Sequence, residues 1–173
     1  MFEGWDSFYL LVGSASGALI GLLFVVVTLT TNLDRSTASR GTSLYMSPTV
    51  FHFAMIVVVS AVGVAPRVGA QAAGAVIGGC ALLGLAYASV VGVRLHLGRA
   101  PEPAHWSDFW LYGVAPAAIY LGLLASAAST WTAPEFAPDW IAVTLVVLLL
   151  TCIRNAWDLV TYLAPRAGDP PAG

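Results

Sequence analysis

Lysine is absent from this chain and charge of either sign is scarce. Seven basic residues, all arginine, and nine carboxylates make up 9% of 173 residues, against about 25% in an ordinary soluble domain. So few charges cannot cover a water-facing surface, which excludes the soluble classes. The missing basic surplus excludes nucleic-acid binders, and the sparse charge excludes acidic disordered tails. Only two cysteines are present, Cys80 and Cys152, too few for a secreted disulfide scaffold. Both fall inside apolar runs with no CxxC or Cys/His neighbour, so they read as small buried hydrophobes. The chain also lacks GxSxG, HExxH and paired intramembrane aspartates, the devices that would mark an embedded hydrolase. No enzyme, cofactor or metal is therefore expected.

What is present is apolar length. Hydrophobic residues reach 58% and mean hydropathy is +0.82. A hydrocarbon core of about 30 Å takes about 20 helical residues to cross, and five segments suffice: about 8–31, 48–65, 68–97, 107–130 and 139–163. Barrel strands would need polar and apolar residues alternating over about ten positions, and runs such as VTLVVLLLTCI show none. Helices are then the remaining solution that satisfies the backbone in lipid. The expected fold is all-α, a polytopic bundle of five transmembrane helices in one domain, 1–163, with a short flexible tail, 164–173. Glu3 and Asp6 precede the first span where a signal peptide would carry positive charge. Ser47 and Asp139 read as N-caps of the second and fifth spans, with Pro48 at the first helical position.

Lipid tails are as apolar as leucine, so close backbone approach at small residues is what holds such spans together. Span one carries Gly13, Gly17 and Gly21 at four-residue spacing; span three carries Gly74, Gly78, Gly84, Ala88 and Gly92; span four carries Ala118 and Gly122. These three helices are expected at the centre. Span two is expected to be intermediate, and span five, without glycine, peripheral. The span-one glycines serve packing within the chain or an interface between copies. Ser7, Ser14, Gly21 and Thr28 recur every seven residues there, with Gly17 beside them, and would equally suit a stripe lining a pore in an oligomer.

Polar residues at membrane depth are costly and therefore worth placing. His52, Arg94, Asp108, Arg154, Asn155 and Asp158 can reach one layer near the inner boundary, with Arg154 and Asp158 one helical turn apart. The layer is either a locally neutralised helix end or a substrate, ion or proton site. A bis-histidine haem on His52 and His96 fails, because the two lie at depths roughly 20 Å apart on adjacent spans. The functional expectation is a small multi-pass protein of the inner (plasma) membrane without catalytic machinery, a membrane interaction or accessory subunit. Its partners would be the bilayer and copies of itself or another membrane protein, with no nucleic acid. The alternative is a homo-oligomeric cation or proton channel, or a small-solute carrier, lined by the first span.

Orientation follows from arginine. The N-terminus and the second and fourth connections carry Arg67 alone. The other side carries Arg35, Arg40, Arg94, Arg99, Arg154 and Arg166. That bias predicts N-out, C-in, with Glu3, Asp6, Glu135 and Asp139 on an acidic outer face. Tryptophans near both ends of the spans fit interfacial belts. In Glu135→Cys and Arg40→Cys variants, an impermeant thiol reagent should label position 135 in intact cells and position 40 only after lysis; the reverse pattern contradicts the orientation.

Overall fold

The computed structural model describes residues 2–29, 47–97 and 109–163, and all five apolar segments are helical. They are α1 (Asp6–Leu29), α2 (Ser47–Val64), α3 (Ala70–His96), α4 (Ala115–Thr132) and α5 (Ala137–Leu163). A π-helical segment, Phe109–Val114, leads directly into α4. Each helix, counting the π segment with α4, is long and apolar enough to cross a membrane, and no strand occurs among the described residues. Asp139 is not a cap: α5 starts two residues earlier, and the carboxylate sits in its first turn, where the helix dipole favours it. Ser47 is the first described residue of α2, followed by Pro48, and the residues before it lie outside the described ones.

Hydroxyls inside the spans bond back to their own helices. Thr28, Thr144, Thr151 and Thr161 each donate to the carbonyl four residues earlier, and Ser126 does the same to Gly122. In lipid that is the cheapest way to satisfy a side-chain donor without water. Trp110, Trp131, Trp140 and Trp157 are exposed near helix ends, where amphipathic rings meet headgroups.

The packing order departs from the expected one. In its most apolar window α2 is 44% buried, α3 and α4 39%, α5 33% and α1 only 22%. Span one is thus the outermost helix and span two the innermost. Span five is also no mere outrigger: Ile141, Leu145, Leu148, Cys152 and Leu159 place one face in the core. The pairs with most contact are α3 with α4 and α1 with α2, and α5 touches α4, α2 and α1.

The reason lies in how the glycines are used. A small residue permits close approach, but its partner decides whether the approach occurs. Gly84 is a seat for the Tyr120 ring, Gly63 for the Tyr9 ring, and Gly74 for Thr130 and Trp131; a Cβ at any of them would overlap those side chains. Gly92 meets Gly113 backbone to backbone, where a Cβ on Gly113 would stand 2.7 Å from Gly92 Cα. Gly13 faces Ser60. Gly78 and Gly122 have only ordinary contacts, with Ala127 and Thr144. Ala88 is buried, whereas Ala118 is exposed. Gly17 and Gly21 have nothing within 4 Å.

This use of glycine is testable at α3. Gly84→Ala should cost about 1–3 kcal/mol by overpacking, read as a lowered Tm in detergent, because the Tyr120 ring is tethered and cannot yield. Gly79→Ala on the same helix, with open space around it, should be neutral or stabilising. Equal responses contradict the seat.

Candidate functional site

Two polar arrangements survive inside the bundle, and they are separate. The first crosses the core from α2 to α4. His52 is 2% exposed and its Nδ1 shares a 2.8 Å hydrogen bond with the Tyr120 hydroxyl. Tyr120 is fully buried on the Gly84 seat, so this one side chain ties α2, α3 and α4 together. Tyr87 stands edge-on to His52 with ring centroids 6.1 Å apart, and it stacks on Phe51 at 4.3 Å. His52 Nε2 and Ser60 Oγ are buried with no hydrogen-bond partner among the described residues.

The second arrangement joins α5 to the π-helical segment, and proline explains it. In the π register a carbonyl pairs with the N–H five residues on. For Leu111 that position is Pro116, which has no N–H to give. The vacant carbonyl accepts instead from Asn155 Nδ2 at 3.1 Å, and the Tyr112 hydroxyl returns a 3.1 Å bond to the Asn155 carbonyl. Asn155 is 1% exposed. A buried amide that donates to a vacant carbonyl contributes more than a surface one, since its loss strands that carbonyl in a dry interior. The Gly92–Gly113 approach holds α3 against the same segment.

Beside this clasp Arg154 pairs with Asp158 at 2.6 Å, one turn along α5, and Arg154 reaches Asn155 Oδ1 at 3.4 Å. Both ionic side chains are more than two-fifths exposed. In water such a pair would contribute little; at the edge of hydrocarbon it neutralises two charges that neither could carry alone. It lets Arg154 lie along the helix toward its end.

The expected single layer therefore divides. Arg154, Asn155 and Asp158 are together. His52 does not join them, because Tyr120 is its partner. Arg94 is exposed near the end of α3, and Asp108 lies outside the described residues. His96, far from His52, faces the Phe109 ring. Among the described residues no three His, Cys, Asp or Glu side chains converge as a metal site would require. Of the proposed stripe, Ser7, Ser14, Gly17, Gly21 and Thr28 are all exposed on the outside of α1 and line no path within the chain.

Tyr120, Tyr112, Gly63, Gly113 and Pro116 were not among the expected site residues. Pro116 was the readable signal: a proline inside a membrane span breaks the ladder and demands an outside donor. No known protein family matches the sequence, and neither any characterised protein nor any solved structure is similar to the chain.

The proline account predicts a dependence between two helices. Asn155→Leu should cost about 1–3 kcal/mol through the stranded carbonyl. Pro116→Ala restores an N–H at the position Leu111 needs, so in that background the cost should fall by half or more. Tm values of the two single variants and the double variant in detergent measure it, and an undiminished cost would contradict the role given to Asn155.

Proposed function

We propose that this protein is a non-catalytic interaction subunit of a membrane assembly, docking through the outward face of α1. The observation that carries the reading is an unused packing surface. Ser14, Gly17, Ala18 and Gly21 form an exposed strip flanked by Leu10, Leu11, Leu22 and Val25. The glycines with equivalent spacing in α3 are largely taken up by neighbours, while Gly17 and Gly21 meet nothing. Small residues on a lipid-facing helix earn no packing energy from acyl chains comparable to a close helix crossing, so the strip has a physical use once another helix lies on it.

The inner polar arrangements support a structural rather than a chemical role. Asn155 completes a backbone, Arg154 and Asp158 neutralise each other, and His52 with Tyr120 ties α2 to α4. We place the protein in the inner (plasma) membrane with its N-terminus outside, on the arginine bias. The occupant of the strip is another copy or a different membrane protein. A homo-oligomeric cation or proton channel is the second reading. It is favoured by the outward placement of Ser7, Ser14 and Thr28, which only an assembly of several copies could turn toward a common axis.

The mass of the assembly extracted in mild detergent tests the proposal. The protein should migrate well above its 18.0 kDa chain mass. Gly17→Leu should release the monomer without lowering its Tm, because nothing inside the chain touches that position. A channel would appear as a complex of this chain alone that passes cations in vesicles. A wild-type monomer contradicts both readings.

A further inference from the structure

At the acidic end of the bundle, an open groove of about 340 Å³ lies between α1 and α5. Its walls are almost wholly apolar: Trp5 and Phe8 from α1, and Ala142, Val143 and Val147 from α5. One charged group lines it, Asp139, in the first turn of α5. The α1 wall is fixed in place. Tyr9 donates to the Pro138 carbonyl at 3.1 Å, and Phe2, Trp5, Phe8 and Tyr9 pack edge to face around it.

From Asp139 to Val147 the groove descends roughly 12 Å along α5, starting beside Trp140 at the expected headgroup level. It is therefore a slot in one leaflet, apolar below and anionic at its mouth. We propose that it binds an ammonium-headed phospholipid, with an acyl chain laid between α1 and α5 and the headgroup amine donating to the Asp139 carboxylate. Charge complementarity selects the headgroup. Among the described residues no cation pairs with Asp139, and Glu3, Asp6 and Glu135 are exposed at the same end, where Arg67 is the one basic residue described. An anionic lipid would meet that field with the wrong sign, whereas an ammonium gains a charge-assisted hydrogen bond. A helix from a second copy fits worse. It is about 10 Å across and would cover the carboxylate without bringing a cation, leaving a desolvated charge. The face on α1 that carries Gly17 points elsewhere, so this site is independent of the docking strip.

The test is native mass spectrometry of the full chain in mild detergent. The probes are phosphatidylethanolamine and phosphatidylglycerol with identical acyl chains, added in equal amounts. Phosphatidylethanolamine adducts should exceed phosphatidylglycerol adducts about five-fold, the scale of one partly exposed ion pair. Asp139→Asn should bring the ratio close to one, and Val143→Trp, which fills the slot from an exposed position, should remove the adducts. In a second measurement, phosphatidylethanolamine brominated on its chain should quench tryptophan fluorescence more than the brominated phosphatidylglycerol. Trp5→Phe should abolish that excess. A ratio indifferent to Asp139→Asn, adducts retained by a folded Val143→Trp, or quenching indifferent to Trp5 would each overturn the proposal. So would a dimer that carries no lipid and dissociates on Val143→Trp.

Discussion

A backbone in hydrocarbon has no water to turn to, so every donor and acceptor must find a partner in the protein. That constraint makes the spans helical and bends threonine and serine hydroxyls back onto their own carbonyls. It also accounts for the least regular part of the fold. Pro116 removes one donor from the start of the fourth span, the ladder there takes the π form, and Asn155 on α5 supplies what is missing. The buried Asn155 amide is in effect part of another helix's backbone. The same logic puts His52 and Tyr120 together, each ring giving the other a partner across the core.

Association between the helices rests on shape more than on polarity. Aromatic rings fill seats left by glycine, as Tyr120 does at Gly84 and Tyr9 at Gly63, and one crossing, Gly92 on Gly113, brings backbones into contact. These interlocks join α3 to α4 and α1 to α2, while α5 packs its apolar face against α4 and α2. On the outer helix Gly13 and Ser16 meet α2, while Ser14, Gly17, Ala18 and Gly21 face away from the bundle. The proposed docking role follows from that outward face, and the groove lies between α1 and α5.

Much of this was legible in the residues. Five apolar runs of sufficient length dictate five helices, and their ends fall within a few residues of the expected positions. Arg154 and Asp158, four apart, had to meet if both were helical. Tertiary placement was not legible, for a physical reason: a GxxxG step states that two backbones can come close and is silent about which partner presents a matching knob. Gly84 and Gly17 look alike in sequence; Tyr120 distinguishes them, and Tyr120 lies 36 residues from the one and far from the other. Span two, rich in valine and carrying a single glycine, gave no sign that it would be innermost. Its centrality comes from Phe53, Ile56 and Val59 filling the space between the other helices. Asn155 is costly at membrane depth, and the acceptor that Pro116 leaves unpaired identifies its carbonyl partner.

The central claim is that α1 meets another helix through the side opposite its own bundle. Site-specific photo-cross-linking in intact membranes tests it most directly, with a photoreactive side chain placed in turn at each position from Leu10 to Val25. The account predicts cross-links to another chain that peak at positions 14, 17, 18 and 21, and vanish at the inward positions 12, 16, 20 and 23. Cross-links that peak on the inward positions, or that show no helical period, would contradict it.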